Sequence, residues 1–210
     1  MIENEFSKMK WSYFLRRKSD STKKIENHLM MLETELGVRV ESIRCDNAGE
    51  NINIEKSLRE RNLKSKIEFT SAHTPEQNGC VERSFGYLYS YIRSTLNGVE
   101  LKGFKRECLW AECANFITDM SNIHCKYKGR SSYEIFYGVK SSIVFNMIPF
   151  GKRAAIKRHE TCLRKMENRG IKDMFVGYSK NHSSDTYRFI KEDNKVVVLS
   201  RDYEWSNSIE

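Results

Sequence analysis

Up to about residue 140, short β-type runs alternate with segments of helical period; beyond about 141 only short strand-like runs remain. That change limits the chain to an α/β part followed by a small β part. Residues 10–15 (KWSYFL) are aromatic-rich and predict a strand. Asp20 or Ser21 caps a helix whose apolar residues Ile25, Leu29, Leu32 and Leu36 share a face, with Gly37 ending it. A strand follows over 38–45, turn chemistry at Asp46-Asn47-Ala48-Gly49, a short helix over 52–62 and a strand, KIEF, at 66–69. Val81, Phe85, Leu88, Ile92 and Leu96 give one apolar face to a helix starting at Gly79 or Cys80 and stopped by Asn97-Gly98. A second long helix covers about 105–123, with Leu109, Cys113, Phe116, Ile117 and Met120 inward. Ser131 or Ser132 caps a shorter one through Tyr137. The later strands are expected at Arg153–Lys157, Asp173–Tyr178, Thr186–Ile190 and Lys195–Asp202, and read as a small β-barrel. Trp11 and Trp110 are expected in the core.

With 39% hydrophobic and 30% charged residues, the chain can bury a core and is not compositionally disordered. Its 36 basic against 28 acidic residues leave a net charge of +8, which suits a polyanionic partner and equally an ordinary basic surface. The six cysteines, at 45, 80, 108, 113, 125 and 162, form no CxxC pair and no zinc-type spacing with histidine. They are expected as reduced thiols in an intracellular protein. No signal-type segment and no apolar run of spanning length occurs, so no membrane partner is expected.

Two acids stand out. Asp46 ends a predicted strand, and the carboxyl ends of strands are where sites form in open α/β sheets. Glu82 opens a predicted helix 35 residues beyond, counting Asn47 to Val81. Two converging carboxylates at a sheet edge can hold Mg²⁺ or Mn²⁺, and such ions activate water or a hydroxyl against a phosphodiester. Taken alone, Asp46 is equally a turn residue and Glu82 a favourable charge in a first helical turn.

The words around these acids decide between the two. IRCDNAGE at 43–50, followed by HTPEQNGCVERSFGYLYSYIR at 73–93, resembles the integrase core of copia-type LTR retrotransposons. FSKMKWSYFLRRKS, LWAECANFITDMSNI and SSYEIFYGVKSS resemble further core segments; FVGYS, YRF and VVLSRDYEW resemble the SH3-like barrel downstream. The resemblance implies a ribonuclease-H-like core (mixed sheet with flanking helices) over residues 1–140 and an SH3-like β-barrel over 141–210. It implies metal-dependent 3′-processing and strand transfer of DNA, with Asp46 and Glu82 as the second and third of three Mg²⁺ (or Mn²⁺) ligands. DNA, both element ends and target, and further copies of the chain are the implied partners, in cytoplasm and nucleus.

Two departures qualify this. The family's first catalytic Asp lies on a first strand that precedes the segment matching Phe6-Ser7, so that strand and that acid are expected to be missing. Glu3 and Glu5 match the segment after it. The chain alone is therefore expected to bind metal weakly or not at all and to be catalytically silent. Ala48 also replaces the family's first glycine after Asp-Asn. The competing expectation is a non-catalytic nucleic-acid-binding module derived from a transposable element. His73, Gln77, Asn78, Arg83 and Arg93 are candidate DNA contacts; Asn78-Gly79 also reads as the turn that presents Glu82, and Arg93 follows Glu82 by eleven residues near the same helical face.

Overall fold

The computed structural model describes residues 1–46, 49–61, 63, 65–70, 75–99, 101, 104–157 and 168–206. Eleven strands and five α-helices occur among them: β1 (Ile2–Glu3), β2 (Lys10–Trp11), α1 (Ser21–Leu36), β3 (Ser42–Cys45), α2 (Gly49–Glu60), β4 (Lys66–Phe69), α3 (Pro75–Gly98), α4 (Arg106–Ile123), β5 (Cys125–Tyr127), β6 (Arg130–Ser131), α5 (Ser132–Tyr137), β7 (Arg153–Lys157), β8 (Gly170–Tyr178), β9 (Tyr187–Lys191), β10 (Val197–Ser200) and β11 (Tyr203–Trp205). This is the α/β-then-β succession expected from the periodicity. The chain forms two compact units, Tyr13–Phe85 and a second made of Met1–Ser12 with Gly86–Glu210.

The Tyr13–Phe85 unit is built on a parallel pair, β3 and β4, in register from Ser42↔Lys66 to Cys45↔Phe69 and connected through α2. Leu29, Ile54 and Leu58 are its buried centre, with Ile25, Val40, Ile43, Leu63 and Ile67 packed around them. α1 ends as its sequence dictates: Gly37 takes φ +63°, Gly37 N donates to Glu33 O (3.2 Å) and Val38 N to Leu32 O (2.9 Å). Leu36, counted on the apolar face, is exposed. Buried Glu26 binds α1 to α2 by accepting from Ser57 and from Arg61 Nε (2.8 Å).

In the second unit the predicted strand at 10–15 shrinks to Lys10–Trp11, paired antiparallel with Ile2–Glu3. The parallel and antiparallel pairings of a mixed sheet are thus both present, as separate two-stranded sheets. The Asn122 amide ties β2 to α4, accepting from Lys10 N (2.9 Å) and donating to Lys10 O (2.8 Å). Trp11 stands edge-on to Phe136, ring centroids 5.2 Å apart. Trp110 departs from expectation and is 44% exposed. It lies one residue, about 100° of helix, round from fully buried Leu109, so burying one turns the other outward.

The last strands form one five-stranded antiparallel sheet that curls towards a barrel. Their order is β10-β9-β8-β7-β11, so β10 and β11 lie at opposite edges of a five-stranded sheet. Flat, those edges would be about 19 Å apart, four inter-strand spacings. Yet Ser200 and Tyr203, three residues apart, reach about 10 Å at most, so the sheet must curl to bring those strand ends together. The strand expected over Lys195–Asp202 is β10, Val197–Ser200; the turn after it, where Asp202 N donates to Ser200 Oγ (3.1 Å), leads into β11, which lies beyond that span. Fully buried Phe175 is the hub: Tyr178, Tyr187, Trp205 and Phe189 stand 5.3, 5.7, 6.1 and 6.2 Å from its centroid, and Phe116 of α4 at 6.2 Å. α4 is further bound to the barrel by Arg188–Glu112 (2.6 Å) and Lys180–Asp119 (3.2 Å).

Candidate functional site

Asp46 is the first residue past β3, exposed at the carboxyl end of the parallel pair. The end is pinned, because Thr70 N, one residue past β4, donates to Cys45 O (3.0 Å). Burial, then the Asp46 charge beside it, pushes the Cys45 thiol up. Arg44 Nη2 and Glu68, neighbours across the register, are 3.5 Å apart and flank the same edge.

Past Thr70 the chain enters α3. The helix starts at Pro75, four residues before the expected start, and takes in Asn78-Gly79, which had read as the turn into it. Proline suits a first helical position, where its missing N–H would have had no partner and its fixed φ is already helical. Glu82 is then the eighth residue, two turns along, exposed, and not at the helix start. Arg83 beside it is exposed, its Nε donating to Gly79 O (2.9 Å). Arg93 is exposed further along. His73 lies outside the described residues, and so do the side chains of Gln77 and Asn78 within the first turn of α3.

Asp46 and Glu82 belong to one compact unit and offer oxygen donors, the chemistry Mg²⁺ and Mn²⁺ require. Among the described residues no three His, Cys, Asp or Glu side chains are grouped to hold a metal ion. A two-carboxylate donor set still fits Mg²⁺, which commonly takes one or two protein carboxylates and completes its shell with water and substrate phosphates. No described helix is long and apolar enough to cross a membrane.

Three exposed tyrosines of α3, Tyr87, Tyr89 and Tyr91, did not emerge from the apolar pattern that defined the helix. The signal was in the same stretch: they fall between the positions of the apolar stripe, so a helix that turns Leu88 and Ile92 inward must turn them outward.

The fold defines a class first. It is shared with a chain in a CryoEM structure of the simian T-cell lymphotropic virus intasome in complex with the PP2A regulatory subunit B56 gamma. The likeness has a TM-score of 0.50 at 10% identity, over 99% of this chain and 72% of that one. In sequence, the chain is similar to a retrovirus-related Pol polyprotein from transposon TNT 1-94 of Nicotiana tabacum, 24% identical over 200 residues. That match takes in 95% of this chain and about 15% of the polyprotein. No family model matches.

Proposed function

We propose that this chain is the DNA-handling part of a copia-type retroelement integrase, with Asp46 and Glu82 as two of the acids that hold Mg²⁺ or Mn²⁺. The observation that carries the reading is the position of Asp46. It stands at the pinned carboxyl end of a parallel strand pair, and the partner strand leads on towards the helix bearing Glu82. The ion, when bound, would activate a water or a DNA 3′-hydroxyl and stabilise the leaving oxygen of a phosphodiester. The chain's own part is to supply carboxylate oxygens from fixed backbone, and a +8 surface to gather the polyanion. Arg83 and Arg93 serve as phosphate contacts on α3, with Gln77 and Asn78 from its first turn and His73 from the sequence before it. Residues 1–140 act as the ribonuclease-H-like core and 141–210 as the SH3-like barrel, with element ends, target DNA and further copies as partners in cytoplasm and nucleus. Alone, the 210-residue chain joins no DNA.

The test is a strand-transfer assay with the purified chain, a labelled duplex end and Mn²⁺, beside DNA retention over a salt series. Retention near 50 mM salt that falls steeply as salt rises, without joined product, is expected. Absence of retention overturns the DNA reading. Joined product that disappears in Asp46→Asn overturns the silence of the isolated chain.

A further inference from the structure

We propose that the solvent face of α3 between Gly86 and Asn97 is a stacking platform for unpaired nucleotides, so that nucleic acid crossing this helix does so as a single strand. Tyr87, Tyr89 and Tyr91 are 65%, 52% and 59% exposed, although tyrosine rings gain from burial and here the helix has a buried side to offer. Its inward side is taken by Ile92 and Leu96, both buried, with Leu88 packed against the same core. At about 100° per residue Tyr87 and Tyr91 share one flank of the exposed half, one turn apart, while Tyr89 stands on the other flank with Arg93 a turn beyond it. Between the two rows come Gly86, Ser90 and Ser94, all short and exposed; a Cβ on Gly86 would meet nothing within 4 Å.

The charge on this segment selects the occupant. From Arg83 to Gly98 the helix carries two arginines and no acid, on a chain of net charge +8. Exposed rings at helical spacing beside Arg83 and Arg93 match the requirements of unpaired bases, which stack on aromatic faces without regard to sequence. A duplex hides its base faces and could use only the cations. The inference rests on the nucleic-acid reading above and narrows it from DNA in general to a frayed or single-stranded segment.

The experiment measures fluorescence anisotropy of the 210-residue chain with a labelled oligothymidine of about 15 nucleotides and with a duplex of equal length, at low salt. Tyr87→Ala/Tyr91→Ala should weaken single-strand binding roughly tenfold or more and change duplex binding less than about twofold. Tyr87→Phe/Tyr91→Phe should retain single-strand binding, since the ring face and not the hydroxyl is used. Equal loss for both probes, or no loss for either, overturns the proposal. So does an alanine variant whose light scattering shows a changed oligomeric state with single-strand affinity intact, which would make the face a contact between copies. Duplex binding without single-strand binding sinks this inference alone; no binding of either probe sinks the nucleic-acid reading with it.

Discussion

Asp173 is the charge whose removal should change the barrel most legibly. It lies on β8, 1% exposed, between Ala154 of β7 and Lys191 of β9 in the ladder. Neither carboxylate oxygen makes a hydrogen bond of good geometry. Burial pushes the group from 3.8 up to about 6; Lys191 and the nearby Glu192 amide pull the other way, while the charges of Asp193 and Glu192 add to the rise. A carboxyl raised in the folded state contributes stability that is complete below its unfolded value, near pH 4, and lost as pH rises through about 6. The gap corresponds to about 3 kcal/mol at neutral pH. For a chain of this size that is about 6–12 °C in Tm. Asp173→Asn abolishes the titration at nearly constant shape. Thermal unfolding of both proteins from pH 4 to 7.5 should show the variant gaining on the wild type as pH rises, with that range as the upper bound. His28, held down to about 4 by burial, titrates in both and drops out of the difference. A Tm difference that stays constant across the pH range would refute the reasoning.

Gly151 takes φ +87°, and a Cβ there would collide with Val99 Cγ1, so Gly151→Ala should cost about 2–4 kcal/mol by denaturant unfolding. Phe175→Ala removes the hub ring of the barrel and should cost about 3–5 kcal/mol in the same measurement. Arg61→Ala strips the cationic partner from the buried Glu26 carboxylate, leaving it only Ser57, and should destabilise by about 1–3 kcal/mol, whereas Arg59→Ala, whose pair with Glu55 is exposed, should change little. In mass-mapped thiol labelling, exposed Cys108 and Cys125 should react while Cys113, buried and pushed up to about 12, resists until the protein unfolds.

The helices were legible because each writes its inward face at a fixed period and marks its end. Gly37 and Gly138 both close helices in the left-handed region, and Ser131 caps α5 by accepting from Glu134 N (3.1 Å). Strands were legible as runs but not as pairings, since period two says which residues alternate and nothing of which edge a strand joins. Thus the run at Lys195–Asp202 was read as a strand, while nothing in it told that β11, one residue further on, joins the opposite edge of the sheet. The start of α3 was placed too late because Asn78-Gly79 carries turn propensity, while Pro75, which suits a first helical turn, stands three residues earlier. Of the site, residue types and their separation in sequence could be read, and the strand-end position of Asp46 follows from them. Glu82 sits two turns into its helix for the same reason that α3 starts early. The tyrosine face was hidden by the usual habit of reading a helix for its buried side.

Divalent-ion titration tests the central claim most directly. Free Mn²⁺ is followed by electron paramagnetic resonance in the presence of the wild-type chain, Asp46→Asn, Glu82→Gln and the double variant. If one ion is shared by the two carboxylates, each single substitution should lower the wild-type affinity, and the double should lose no more than the weaker single. Wild-type binding that survives both substitutions unchanged would contradict the account.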